Sequence, residues 1–384
     1  MKKSINDILI CIWGNDNYNT LGLLRQLDQE GFKVFFIINK RRQYCASLSR
    51  HCKSFVVARD EKRGLSEIYR IGKIEAPFKF LITTSDTLAE IVDANSIKLK
   101  NFFILSNTES EGLLTSLMDK NTMCSLAERC GLTIPRYRPF FKKDKIEGID
   151  YPCIIKPSKR LLGVKAPFKA RICNNDKELK EVQDIISNNE SFILQQYIPK
   201  KEDILVYGCR TRAGEVILAG SFIKKRWAYD CNDGSYGTIS CKIPECINLK
   251  ALNSFLEQIE YVGLFSFEFG YYKGQAFFYE INMRNDGTSH YFYQAGVNLP
   301  ILWIRKMIDE SYSKRIDFPD AIFMDEIADY NNVKKGVIPK TEWLKDKREA
   351  TVFKYYAVDD RLPYNAVKLV SFLSYVKRNI LRIK

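Results

Sequence analysis

Short apolar runs that alternate with helix-spaced leucines constrain this chain more than any other feature. Ile8-Leu9-Ile10-Cys11-Ile12-Trp13 is such a run, and it stops at Gly14. An asparagine-rich turn follows (Asn15, Asn17, Asn19). Leu21, Leu23, Leu24 and Leu27 then keep helical spacing, and Gly31 ends that helix. Val34 to Ile38 is a second buried run. Strands without polar alternation, joined through a helix, point to a doubly wound parallel sheet. The alternation continues with strands at 55–58, 80–83 and 102–105 and helices near 64–73 and 86–99, which predicts an α/β domain over 1–112. Its first turn has one glycine and then asparagines, so it lacks the GxGxxG fingerprint of a dinucleotide site.

The middle of the chain reads differently. A helix over 119–133 is stopped by Gly131 and Pro135, and the strand Cys153-Ile154-Ile155-Lys156-Pro157 ends on a lysine. A helix over about 176–188 and a strand at 192–195 follow. From 204 to 281 several strands are joined by turns such as Ala213-Gly214 and Lys273-Gly274, with a helix near 249–262 between them. This region is α+β and mainly antiparallel. A helix over about 298–310 closes it. The remaining 74 residues are charged and less regular until a helix at 366–383.

Composition removes several classes of function. No apolar stretch approaches the ~18–20 residues of a spanning helix, and no leader-like segment follows Met1-Lys2-Lys3, so a cytoplasmic protein is expected. The eleven cysteines are odd in number and form no CxxC pair, which reads as reduced, apolar side chains. The two histidines, His51 and His290, leave little room for Ser-His or Cys-His chemistry. The net charge of +14 favours anionic partners: nucleotides, nucleic acid or an acidic membrane surface. Nucleic acid is disfavoured because no basic stripe interleaved with aromatics appears.

The stretch Phe267 to Arg284 carries the most chemistry. It reads as a hairpin turning at Lys273-Gly274, with Glu268 on one strand and Glu280 and Asn282 on the other. Residues 280 and 282 project from one face, and pairing around the turn brings Glu268 close to both. Phenylalanines surround these acids, so the face lines a cleft rather than open solvent. Two carboxylates close together call for a cation, and with an amide oxygen they form the hard donor set that Mg²⁺ takes beside phosphate oxygens.

Five segments in order resemble the ATP-grasp superfamily, most of all the branch of D-aspartate ligase and the carbamoyl-phosphate-synthase-like carboxylate–amine ligases. They are Asp119-Lys120, Gly131-Leu132-Thr133-Ile134-Pro135, Ile154-Ile155-Lys156-Pro157, Leu194-Gln195-Gln196-Tyr197-Ile198-Pro199 and Glu280-Ile281-Asn282-Met283-Arg284. The resemblance covers residues 1 to about 310. It implies a Rossmann-like preATP-grasp domain (1–112) and a two-lobed ATP-grasp domain (113–310). The nucleotide-clamping lobe would cover about 150–203 and the metal-binding lobe about 204–310, with a C-terminal helical extension at 311–384.

The resemblance also implies roles. Lys120 and Lys156 would neutralise the phosphates of ATP, and Gln195, Gln196, Tyr197 and Ile198 would form the hinge that reads the adenine edge. Glu202 would accept from the ribose hydroxyls, with Asp203 as the competing candidate. Glu268, Glu280 and Asn282 would hold Mg²⁺, or Mn²⁺ in its place. Arg284 would face the transferred phosphoryl group or the acyl phosphate, and a basic group in Lys224-Lys225-Arg226, with Lys225 and Arg226 singled out, would face the phosphoryl group or the carboxylate substrate. Residues 158–168 would fold over the phosphates. His290, just past the acidic motif, is a weaker candidate for touching substrate. The implied activity joins a carboxylate to an amine through an acyl phosphate. A kinase-like phosphotransferase and a nucleotide-binding protein without catalysis are the alternatives, and a homo-oligomer is compatible with each.

Beyond the resemblance, the segment Arg361 to Lys384 has six basic residues and no acidic one. Ala366, Leu369, Val370, Leu373, Val376 and Ile380 fall on one helix face. Such a helix either docks on the body of the protein or lies peripherally on the inner face of an anionic membrane.

Overall fold

A computed structural model describes residues 8–41, 43–159, 167–187 and 190–379. Ile8–Asp16 (β1), Tyr18–Asp28 (α1), Lys33–Arg41 (β2), Phe55–Val57 (β3), Glu61–Gly72 (α2), Phe78–Thr83 (β4), Asp86–Asp93 (α3), Ser96–Leu99 (α4) and Ile104–Leu105 (β5) build the first sheet and its helices. All pairings are parallel, in the order β3-β2-β1-β4-β5. β1 sits at the centre, which is why its apolar run has no polar alternation. The helix expected over 86–99 is divided at Ala94-Asn95.

Leu113–Leu117 (α5) and Lys120–Arg129 (α6) lead into a four-stranded antiparallel sheet. That sheet holds Tyr137–Phe140 (β6), Cys153–Pro157 (β7), Arg171–Cys173 (β8) and Phe192–Gln196 (β9) in the order β6-β9-β7-β8, with Asp176–Ile185 (α7) packed on it. The loop expected to close over phosphates falls largely on 160–166, outside the described residues.

The largest sheet has seven strands. It is formed by Glu202–Arg210 (β10), Val216–Trp227 (β11), Gly234–Ser240 (β12), Gly263–Tyr272 (β13), Gln275–Asn282 (β14), Ala321–Met324 (β15) and Val352–Phe353 (β16), with Leu249–Gln258 (α8) between β12 and β13. Its order is β14-β13-β10-β11-β12-β15-β16. The last two strands come from the C-terminal 74 residues, so that segment continues the sheet. Around it lie Thr288–Ala295 (α9), Leu299–Ile308 (α10), Ala328–Lys334 (α11), Lys340–Glu349 (α12) and Leu362–Asn379 (α13). One apolar core joins the first sheet to this one. Ile10, Ile12 and Leu24 share a cluster with Tyr207, Phe222, Trp303 and Phe323. This shared packing fixes the carboxyl ends of β1 and β4 against the large sheet.

Candidate active site

The β13–β14 hairpin positions the acids. Its turn places Lys273 (φ 47°) and Gly274 (φ 82°) in the left-handed region, the geometry that matches strand twist in a two-residue hairpin. The pairing then shifts. Phe269 faces Phe278, whereas Glu268 faces Glu280, leaving Tyr279 as the extra residue of a bulge. Without that bulge Glu268 would face Tyr279. The bulge also sends the Tyr279 side chain across Gly270, where a Cβ would lie 2.2 Å from the Tyr279 hydroxyl. Any side chain at 270 would displace the Tyr279 ring from this position. Ser266 faces Asn282 in the same register.

Charge on this face is unbalanced. Glu268 accepts from the Asn282 amide at 3.2 Å and lies 3.7 Å from the Lys224 ammonium. Burial pushes the Glu268 carboxyl up to about 7; Lys224 opposes this, and Glu280 adds to it. Burial alone would lower the Lys224 ammonium, but Glu268 and Asp203 outweigh it and raise it. A divalent cation between the carboxylates would relieve the repulsion, so the donor set fits one. Among the described residues no three His, Cys, Asp or Glu side chains form a cage on their own. The fit is to a cation that completes its shell with ligand oxygens.

A cleft of about 370 Å³ opens over this face. Asn15 at the end of β1, Asn19 at the start of α1 and Asp86 after β4 form the opposite wall, where the strand order of the first sheet reverses. Open α/β sheets bind ligands at that point. Arg284 spans the two walls: its Nε donates to Asp86 at 2.6 Å and its Nη2 to the Asn282 oxygen at 3.0 Å. Lys354 enters from just after β16, 2.8 Å from Asp325 and 4.1 Å from the Tyr18 ring centroid.

Three lysines converge beside the acids. Lys156, near the end of β7, lies 5.4 Å from the Tyr279 ring centroid, and Lys200 lies 5.7 Å from it. Burial pulls the Lys156 ammonium below its usual range; Glu280 offsets part of this, and Lys120 and Lys200 push it further down. Lys120 opens α6, whose N-terminus Asp119 caps by accepting from Asn121 and Thr122. Its backbone N–H donates to Ser158 O at 2.8 Å, tying it to the end of β7. In the hinge, the buried Gln195 amide donates to Cys124 Sγ at 3.6 Å. The N–H groups of Gln196 and Tyr197 donate to Arg136 O and Pro152 O, and Ile198 is buried.

Four expectations change. Asp203, not Glu202, lies on the acidic face: it pairs with Lys224 across β10 and β11, and accepts from Lys200 and from Trp227 Nε1 at 2.7 Å. Glu202 falls on the other side of the strand. Lys224, not Lys225 or Arg226, lines the cleft. A bulge between Lys224 and Arg226 sends Arg226 to Asp329 and Asp346 at 2.8 Å, and Lys225 is exposed. His290 does not line the cleft; its Nε2 lies 3.2 Å from Arg25 Nη1 in the interior.

Lys354 and the asparagine turn carry no assigned role in the sequence, and Lys224 stands there only as one of three adjacent cations. The turn follows the first strand of a doubly wound sheet, and that position was a usable signal. Lys354 has no local signal, because β16 brings it in from a distant part of the chain.

No family model matches the sequence, and no curated protein does. Solved structures do match. An ADP complex of N5-carboxyaminoimidazole ribonucleotide synthetase superposes with a TM-score of 0.68 at 14% identity, over 98% of this chain and 99% of that one. An L-amino acid ligase from Bacillus licheniformis gives 0.61 at 16% identity, over 83% and 80%. The biotin carboxylase domain of the Hydrogenobacter thermophilus 2-oxoglutarate carboxylase, in complex with MgADP, gives 0.61 at 17%, over 82% and 73%. The chain has the ATP-grasp fold.

Proposed function

We propose that this protein is an ATP-dependent carboxylate–amine ligase. The reading rests above all on Glu268 directly opposite Glu280, on the floor of a cleft that Lys224, Arg284 and Lys354 line, with Lys156 and its neighbours Lys120 and Lys200 beside Glu280. The solved structures of like fold that include ligases and ADP complexes support it.

In this reading residues 1–112 supply the wall behind the substrates, 113–310 hold the nucleotide, and 311–384 complete the sheet and the cleft. ATP lies between the four-stranded and seven-stranded sheets. Lys120 and Lys156 offset its phosphates, Gln195 to Ile198 border the base, and Asp203 takes the ribose hydroxyls once Lys200 moves aside. Glu268, Glu280 and Asn282 would hold Mg²⁺, which when bound would supply charge stabilisation at the transferring phosphoryl group. A carboxylate held at Arg284 attacks the γ-phosphorus, the bond from that phosphorus to the bridging oxygen breaks, ADP leaves with the bonding pair, and an acyl phosphate forms. A neutral amine then attacks the acyl carbon, phosphate leaves with the C–O bonding pair, and the ammonium proton passes to the departing phosphate or to water. Lys224 and Arg284 carry fixed positive charge toward the oxygens on which negative charge grows.

The test measures ADP, phosphate and amide product with pooled carboxylates and pooled amines. The expected result is ADP release that needs both pools and yields an amide. ADP release with a phosphorylated product and no amine requirement would make the protein a phosphotransferase instead. Bound ATP that no pool turns over would leave a nucleotide-binding protein.

A further inference from the structure

The C-terminal helix carries two apolar stripes, and the body covers only one. Pro363 and Val367 are on the covered side. Val367 joins the core cluster of Trp303 and Tyr355, and the Tyr364 ring lies 5.6 Å from Tyr356. The second stripe holds Leu362, Leu369, Phe372 and Leu373, exposed by 55, 57, 61 and 55%. Their spacing places them on one side of the helix. The same spacing continues in the sequence through Val376, Ile380 and Ile383. Leu369 and Leu373 belong to the face that the sequence pattern singled out, so docking on the body uses a different set of residues from the one expected.

Charge indicates what covers the free stripe. Arg361, Lys368, Lys377, Arg378, Arg382 and Lys384 are the basic residues of this segment, and it has no Asp or Glu. A second copy laid along the stripe would bring the same positive series against itself, with no acid in the segment to pair with it. Among the described residues no helix is long and apolar enough to cross a membrane. An apolar stripe on a segment that is basic in sequence and has no acid suits a helix lying in the plane of a bilayer, its apolar side at the acyl boundary and the positive charge of the segment attracted to anionic headgroups. We propose that the helix beginning at Leu362 is an interfacial anchor for an anionic lipid surface. Such an anchor does not depend on the proposed catalysis.

The experiment co-sediments the full chain with phosphatidylcholine vesicles, with and without phosphatidylglycerol, at low and high salt. A Leu369→Ser/Phe372→Ser/Leu373→Ser variant is run alongside, with thermal melts and sedimentation velocity on both proteins. The expected result is binding to the anionic vesicles alone, weakened by salt. The variant is expected to melt like the parent and to bind at least about tenfold more weakly. Absence of binding at low salt, or equal binding by the variant, overturns the proposal. So does a variant that fails to fold, which would mean the stripe packs on the body. A parent dimer that the variant abolishes would make the stripe a self-interface and would also overturn it.

Discussion

The Arg25–Asp360 cluster is buried and the Glu268–Glu280 face is half-buried in the cleft; both are charged, yet their hydrogen bonding is opposite in kind. Asp360 accepts from Arg25 Nε at 2.9 Å, Ser49 Oγ at 2.6 Å and the Arg50 N–H at 3.1 Å. Arg25 also donates to Tyr355 O at 2.9 Å and meets His290 at 3.2 Å. Burial would raise the Asp360 carboxyl, but the bonds from Ser49, Arg50 and Arg25 outweigh it and hold the group below its usual range. Burial, and then the Arg25 charge, keeps His290 neutral, so its Nε2 can accept from Arg25. The Asp360 carboxylate is satisfied here without any outside group, and among the described residues the buried Nδ1 of His290 is the one atom of the cluster left without a partner. It ties α1 and the 49–50 turn to the segment before α13. On the acidic face burial wins instead, and Glu268 is pushed up. A buried cluster that balances its charges serves as a staple, and one that does not is arranged for something that arrives.

Removing a carboxylate from the incomplete face tests that difference most severely. Glu280→Gln keeps volume and loses charge, and ADP formation should fall by about a thousandfold, since several kcal/mol of charge stabilisation depend on it. The melting temperature should hold or rise, because a like-charge contact is gone. Steady-state turnover and a thermal melt check both halves. Parental turnover by a folded variant would remove the metal assignment.

Arg25→Ala should do the reverse. It leaves Asp360 buried without its cation, which costs about 3–5 kcal/mol. Chemical denaturation should show the loss in the midpoint, while ATP affinity of the folded variant stays at the parental value. A variant as stable as the parent but unable to bind ATP would reverse the roles of the two clusters.

Parts of this contrast were legible in the sequence. Glu280 and Asn282 could be read because strand periodicity is two and Lys273-Gly274 fixes the turn. The face-to-face placement of Glu268 needed the Tyr279 bulge, which no periodicity reports. Lys224, Lys225 and Arg226 are three cations in a row, and a bulge decides which one turns inward. Glu202 and Asp203 differ by one residue and so by one face, and the partner strand settles the choice. The staple was invisible for another reason. Arg25 and Asp360 are 335 residues apart, and each alone looks like a surface charge. The helical spacing of the final segment was readable, but which of its two stripes meets the body depends on Val367 finding the core.

The pH dependence sharpens the comparison. Asp360 is depressed in the folded state, so its stabilisation is fully present above the unfolded carboxyl value of about 3.9 and is lost as pH falls through the folded value. Asp360→Asn should therefore lie below the parent in stability at neutral pH, with the gap constant down to about pH 5 and closing below about pH 4. Denaturant midpoints at a series of pH values measure it. A gap that widens on acidification would mean that Asp360 is not stabilised as a carboxylate.

The smallest effect should come from the periphery of the staple. Ser49→Ala removes one neutral donor to Asp360 and the acceptor that the His51 N–H reaches at 3.2 Å. Arg25 and the Arg50 N–H still hold the carboxylate, so the charge stays paired. The expected loss is about 1 kcal/mol, the usual net worth of one hydrogen bond, against the several expected for Arg25→Ala. The double variant then separates two descriptions of the cluster. If Ser49 and Arg25 contribute independently, their losses add. If the cluster acts as one unit, removing Ser49 after Arg25 costs almost nothing, because the carboxylate has already lost its fixed position. The short bonds converging on one carboxylate favour the second outcome, and a double-mutant cycle in denaturant measures the difference directly.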